Sequence, residues 1–387
     1  VTLENNVRIK PGFTINFPTG PIVAEEILRG SNVWNNPGWY PDPSAIFEVD
    51  GQNVIAFPEW GPGNAYGPDF NTYISSDGGD TWTNEGPYPP ANMVNVGVKN
   101  NSPSKIIRDG NKWQLFTYWD PNRASARYTF DTAWSSSYPD ALSPTINTAS
   151  NLYDPRAFDL DGGDNCVQVA RQVYDPNSAS NNFVGLQRKN IYTGVFLDLL
   201  PLQIASNGVG LTKMNDGSYF CLVQNATDIK VFYVDPTMTT FTTSTTPAIA
   251  ATQMFLSNKN DTSLFVVSNG AVLQWKNPTS PTFTPVTLSG NYNVVTRLGR
   301  KSYMWLAASM TQNQTARLWY STDADGSTFS ASYVELTLPS TPASGAPWSY
   351  IKPGPDNWWY GCYRENGTNL EVIFRFQFET TSGNPPP

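Results

Sequence analysis

One unit recurs along this chain: an apolar strand, a tight turn often of Asp-Gly or Asn-Gly type, an aromatic strand, a loop, and a further strand. Copies open at Pro43, Ser102, Asp154, Gly208, Thr252, Asn293 and Pro347. The first reads PSAIFEVDGQNVIAFPEW, then NTYISSDGGDTW, and the last reads PWSYIKPGPDNWWYGCYRE, then LEVIFRFQFE. No stretch shows the 3.6-residue period of a helix, and a unit of roughly 40 to 60 residues with short strands has the size of a four-stranded blade. The expected fold is all-β, a single β-propeller of seven blades, or of six if the fourth and fifth copies are misread. The seventh copy stops after its third strand, and the strand-like segment VRIKPGFTINF, residues 7–17, is expected to close the ring by supplying the missing one. The propeller is expected over residues 1–380, with 381–387 (TSGNPPP) as a flexible tail.

Composition narrows the chemistry. The chain has no histidine, so a Ser-His-Asp triad, an imidazole metal site and a histidine base are all excluded. Proton transfer falls to Asp, Glu, Tyr, Lys or Cys. A formal charge of −8 without a basic cluster argues against nucleic acid as a partner, and no apolar run is long enough for a membrane span. No cofactor motif is present. Calcium is a possible structural ion at the oxygen-rich turn Asp159–Asp164, where a solvated turn is the alternative. Low charge, acidity and sequons at Asn100, Asn225, Asn260, Asn313 and Asn366 suit a secreted, extracellular monomer. Cys166, Cys221 and Cys362 are expected as buried small hydrophobes, with a Cys166–Cys221 disulfide as the alternative in an oxidising compartment.

In the first copy, Ser75-Ser76-Asp77-Gly78-Gly79-Asp80-Thr81-Trp82 follows the Ser-x-Asp-x-Gly-x-Thr-Trp pattern and resembles the Asp-box of sialidase-like propellers. The resemblance implies structural roles for Ser75, Asp77, Gly79, Thr81 and Trp82: the aspartate accepts N–H bonds across the turn, glycine permits positive φ, and tryptophan packs between blades. Ser321–Phe329 is a degenerate copy with one extra residue and Phe in place of Trp. Sialidases open their first blade with an arginine motif, whereas this chain has Tyr40-Pro41-Asp42-Pro43-Ser44. That stretch instead resembles the opening motif of arabinanase and xylosidase propellers, which implies a general-base role for Asp42. Tyr153-Asp154-Pro155-Arg156 resembles their second carboxylate motif, whereas Asn207-Gly208-Val209 stands where their acid would be.

Equivalent positions in successive blades converge at one end of a propeller's channel. Starts of the innermost strands bring Asp42, Asp154, Arg156, Arg297 and Tyr350 there. Ends of the second strands bring Glu59, Trp60, Tyr118, Trp119, Arg171, Tyr363, Arg364 and Glu365. Aromatic faces stack on sugar rings, arginine forks match a uronate or sialate carboxylate, and carboxyls transfer protons. Each position has a plainer reading as core aromatic, inter-blade ion pair or turn cap. The expected function is a secreted carbohydrate-active enzyme that cleaves an oligo- or polysaccharide containing an acidic sugar. It would be a hydrolase using Asp42, Glu59 or Asp154, or a uronate lyase using Tyr363 or Tyr350 as base. The alternative is a non-catalytic lectin or a viral receptor-binding propeller.

Overall fold

The computed structural model describes residues 6–10, 12–30, 47–60, 70–88, 303–310, 313–323, 328–343, 351–368 and 370–383, the strands between 101 and 301, and a few residues beside them. Side chains are described chiefly in 12–30, 47–56, 72–84, 216–221, 232–243, 303–343 and 351–383. Every regular element among the described residues is a β-strand. Six antiparallel meanders of four successive strands run from Phe47–Asp50 to Val334–Thr337. A further sheet joins Ile351–Pro353, Trp358–Arg364 and Glu371–Gln377. Each recurring unit of the sequence becomes one sheet. The fourth (Asn207–Lys213 to Phe241–Thr246) and fifth (Ala251–Leu256 to Phe283–Val286) are separate.

The last sheet takes its fourth strand from the other end of the chain, but not from the expected segment. Glu25–Arg29 pairs antiparallel with Glu371–Gln377, with Arg29 opposite Val372 and Glu25 opposite Arg375. Just before it, Ile22–Val23 runs parallel to Val334–Thr337 at the edge of the sixth sheet. Residues 22–29 thereby clasp the outer edges of two neighbouring sheets. The expected segment instead forms a hairpin, Asn6–Lys10 with Phe13–Asn16, to which Thr380–Ser382 adds. The reason is packing: Phe13, Ile15 and Phe17 are buried with Tyr303 and Phe378, and Phe17 stacks on Tyr320 at 3.6 Å between ring centroids. The boundary expected at residue 380 falls inside this small sheet, since Thr381 and Ser382 pair with Ile15 and Thr14.

Alternation along the last sheet sends its side chains to two cores. Trp359, Tyr363, Val372, Phe374 and Phe376 join Met304, Leu306, Ala308 and Leu318 of the sixth sheet. Tyr360, Cys362 and Ile373 pack against Phe47, Val54 and Ala56 of the first. Each such aromatic or aliphatic side chain contributes about 1.5–3 kcal/mol on burial. Close approach of the sixth and last sheets depends on Gly299, where an added Cβ would lie 2.7 Å from the Ile351 carbonyl oxygen.

The end of these sheets that carries the Gly51, Gly78 and Asn357 turns is cross-linked. In the Ser75–Trp82 turn, Asp77 accepts from the Thr81 amide at 2.9 Å, the Thr81 hydroxyl at 2.5 Å and the Ser75 hydroxyl at 2.7 Å. These bonds, the two from Thr81 first, hold its carboxyl far below the usual carboxylate range. Gly79 has φ of 94°, and the Trp82 indole donates to its carbonyl at 3.0 Å. Tyr360 and Arg375 of the last sheet donate to the Gly78 carbonyl at 2.8 and 2.9 Å, and Arg375 also pairs with Asp80 and Glu25. In the sixth sheet, Ser321 occupies the equivalent turn, accepts from the Trp305 amide at 2.8 Å and bridges to Phe329.

A second buried network lies at the same end. Glu379 is fully enclosed, pairs with Lys301, and accepts from the Trp359 indole at 2.6 Å and the Tyr303 hydroxyl at 3.3 Å. Cys221 is a free, buried thiol whose burial pushes its pKa up, so the alternative disulfide with Cys166 is not formed; Cys362 is buried as well. The apolar setting of the second strand in its sheet accounts for this, since Cys221 stands between Phe220 and Leu222 and faces Phe232 across the ladder.

Candidate functional site

At the opposite end, Trp358–Arg364 turns into Glu371–Gln377. The turn is tight because the Glu365 amide donates to the Leu370 carbonyl at 2.8 Å and Gly367 takes φ of 84°. Residues 341–343 lie alongside, with the Ala343 amide on the Arg364 carbonyl and the Asn366 amide on the Thr341 carbonyl, both at 2.8 Å. Arg29 completes the group from the other side, and the Gly30 amide donates to the Glu371 carbonyl at 2.9 Å. Two guanidinium groups and three carboxyls therefore share this end: Arg29, Arg364, Glu26, Glu365 and Glu371.

Their environments differ. Arg29 grips Glu26 through two bonds of 2.9 and 2.6 Å and reaches Glu365 at 2.6 Å, which raises its pKa. Partial burial works against ionisation of Glu365, but the hydrogen bonds from Arg29, Thr368 and Ser340 outweigh it and hold the carboxyl at about 2. Glu371 goes the other way: burial pushes it up to about 7 despite Arg364. The Arg364 Nε lies 3.7 Å from Glu371 Oε1, beyond the 2.7–2.9 Å typical of a charge-assisted hydrogen bond. Glu371 Oε2 is buried without a hydrogen-bond partner. Arg364 and Glu371 are directly opposite and share the alternation phase of Cys362 and Ile373, the face packed on the first sheet.

Of the residues expected here, Tyr363, Arg364 and Glu365 have described side chains. Tyr363 is fully enclosed, and its hydroxyl is bonded to the Ser340 amide at 2.8 Å and hydroxyl at 2.9 Å. Burial raises its pKa, and in this place Tyr363 holds Ser340 and is not open to substrate as a base. Glu59 and Trp60 end the strand Asn53–Trp60, and Tyr118 and Trp119 end Lys112–Trp119. One extra residue lies between Ala56 and Glu59, so Glu59 pairs with Asn71 and takes the phase of Ala56. Asp154 and Arg156 lie in Leu152–Gly162 at a register irregularity between Tyr153 and Ala157, and Tyr153 pairs with Arg171. Arg297 opens Arg297–Lys301. Side chains of these residues, all of Asp42 and Tyr350, and the Asp159–Asp164 side chains lie outside the described residues. Asn313 and Asn366 are exposed; the other three sequons lie outside as well.

Glu371 and Arg29 were not among the expected residues. Glu371 had a faint signal, because folding RENGTNLE about its Asn-Gly turn sets Arg364 against Glu371. Arg29 had none, since nothing local links it to a strand more than 300 residues away. Among the described residues, no group of three or more metal-ligating side chains comes together.

No family model matches the chain, nor does any curated protein sequence. Solved structures do. YCF48 from Cyanidioschyzon merolae superposes with a TM-score of 0.54 at 13% identity, over 87% of this chain and 97% of that one. A chain of a mitotic checkpoint complex gives 0.54 at 10% identity, over 93% and 96%. Raptor from Chaetomium thermophilum gives 0.53 at 11% identity, over 99% of this chain and 30% of Raptor. These are propeller-type proteins, and the likeness shows a fold of that type.

Proposed function

We propose that the seven sheets are blades of one seven-bladed propeller, closed by Glu25–Arg29, and that the chain is kin to sialidase-like propellers. On this reading it is a secreted enzyme that hydrolyses a glycan containing an acidic sugar, at the end of the sheets carrying the Glu365–Leu370 turn. Support for closure comes from the shared core of the first and last sheets and from the Arg375–Asp80 pair. Kinship is supported by the Ser75–Trp82 hydrogen bonds, which follow the roles that the resemblance implies.

The observation offered for hydrolysis is that two carboxyls at one sheet end are pushed in opposite directions, Glu365 beside Arg29 and Glu371, on the other face, beside Arg364. Divergent carboxyls of this kind suit separate acid and base duties. Enclosure of Tyr363 removes one of the two tyrosines expected as a lyase base. A second reading, non-catalytic glycan binding at the same place, is favoured by the near-complete enclosure of Glu371, whose side chain is 6% exposed.

The test is product analysis on neutral and uronate-containing polysaccharides, with mass spectrometry and absorbance near ~235 nm for unsaturated ends. Saturated new reducing ends support hydrolysis, and unsaturated ends overturn it in favour of a lyase. Binding without products leaves the lectin.

A further inference from the structure

The chain holds three Asn-Gly pairs, Asn207-Gly208, Asn269-Gly270 and Asn366-Gly367, and folding treats them differently. Asn207 and Gly208 open the strand Asn207–Lys213, where they pair with Gln224 and Val223. Asn269-Gly270 lies outside the described residues. Asn366 and Gly367 are exposed in the turn between Trp358–Arg364 and Glu371–Gln377. That turn is fixed around the pair by the Glu365 amide on the Leu370 carbonyl, the Asn366 backbone amide on the Thr341 carbonyl and the Thr368 hydroxyl on Glu365. Two groups of the pair itself are left unused. Among the described residues, neither the Asn366 side-chain amide nor the Gly367 backbone amide has a hydrogen-bond partner. An added Cβ at Gly367 would meet nothing within 4 Å, so the space beside this residue is open.

We propose that Asn366 is a self-modifying site, at which the Gly367 nitrogen attacks the neighbouring side chain and converts it to aspartate and isoaspartate. Hydroxide from solvent takes the Gly367 N–H proton, and the nitrogen forms a bond to Asn366 Cγ. The Cγ–Nδ2 bond then breaks, and Nδ2 leaves as ammonia with a proton from water. Water opens the resulting five-membered imide at either carbonyl and leaves a carboxylate. The net change is hydrolysis of one amide, with nothing oxidised or reduced. Glycine suits the nucleophile's place, because it has no side chain to shield the nitrogen and lets the backbone rotate toward Cγ. A ladder pairing at Asn207 holds the backbone extended and withholds that approach. No substrate takes part, so the site stands apart from the hydrolysis reading. The product puts a further negative charge beside Glu365, and isoaspartate lengthens the backbone by one carbon within the turn bonded to Thr341. The end of the sheets that carries Arg29 and Glu365 therefore changes irreversibly as the molecule ages.

The experiment holds the native full chain in mildly alkaline buffer, samples it over time, and maps its peptides by mass spectrometry with electron-transfer fragmentation. The peptide bearing Asn366 should gain one nominal mass unit and separate into aspartate and isoaspartate forms. Asn207 should lag it by at least about tenfold, since each factor of ten corresponds to only about 1.4 kcal/mol of local strand opening. In urea that difference should vanish. Asn366→Gln should abolish the main acidic species that wild type accumulates on ion exchange. The proposal is overturned if native Asn366 stays intact while the unfolded chain reacts, if Asn207 reacts as fast in the native protein, or if the Asn366 side chain carries a glycan.

Discussion

Glu379→Ala offers a severe test of the buried network that joins the sixth and last sheets. The Glu379 side chain is 0% exposed and its partner Lys301 8% exposed, so truncation strands an ammonium in the interior together with the Trp359 indole and the Tyr303 hydroxyl. Breaking a buried pair from one side costs about 3–5 kcal/mol, and each orphaned neutral donor adds about 1–3 kcal/mol before relaxation. The stranded lysine can escape part of this by losing its proton, since burial already lowers its pKa. A net loss of about 4–6 kcal/mol follows, a large share of the ~5–15 kcal/mol typical of a folded domain. Adding Lys301→Met removes the orphaned charge, so the double variant should recover about 3 kcal/mol of that loss. Urea unfolding at pH 7, followed by tryptophan fluorescence, measures all three proteins. The reasoning is refuted if the single substitution costs less than about 1 kcal/mol, or if the double variant is no more stable than the single.

Other outcomes are equally checkable. Glu371 titrates at about 7 in the folded protein against an ordinary 4.5, so the folded state binds the extra proton between those values. The stability contributed by that proton is complete below pH 4.5 and lost as pH rises to 7, so wild type should lose up to about 3 kcal/mol relative to Glu371→Gln across this window in pH-dependent urea melts. Asp77→Ala removes three acceptor bonds from the Ser75–Trp82 turn and should lower stability by about 1–2 kcal/mol, read as a shifted denaturation midpoint. Gly299→Ala forces a methyl against the Ile351 carbonyl and the Trp359 ring and should cost about 1–3 kcal/mol, whereas Gly20→Ala, with open space around it, should cost under about 0.5 kcal/mol. Cys221 should resist a thiol reagent in the native protein and react on unfolding.

The sheets were legible because their signals are local. Asp50-Gly51, Asp109-Gly110 and Asp216-Gly217 punctuate strands whose alternation is visible within ten residues, and each unit became one sheet. Placement of the N-terminal strands was not legible. Sequence alone assigns VRIKPGFTINF to the last sheet and does not single out EEILR at all, because the contacts that take the first segment elsewhere, Phe13 and Phe17 meeting Tyr303, Tyr320 and Phe378, are encoded by no local pattern. Tyr363, Arg364 and Glu365 were all found at the expected strand end, but alternation along the strand sends Arg364 to one face and Tyr363 to the other, where its hydroxyl is taken up by Ser340. Carboxyl environments were out of reach altogether, since Glu371 and Glu365 have the same side chain and differ only in the neighbours that folding gives them.

The clasp formed by residues 22–29 also sets an order of events during biosynthesis. Glu25 leaves the ribosome 350 residues ahead of its partner Arg375, an interval of about 20–70 s at ~5–20 residues per second. For that time Glu25–Arg29 has no sheet to join, although Ile22–Val23 beside it can meet the sixth sheet as soon as Val334–Thr337 has emerged. Glu25, Glu26 and Arg29 place three charges in a five-residue strand, a composition that discourages pairing with other nascent chains until the intended edge emerges. Once docked, the same strand must detach before the last sheet can open, so the slow step of its assembly becomes a brake on its unfolding.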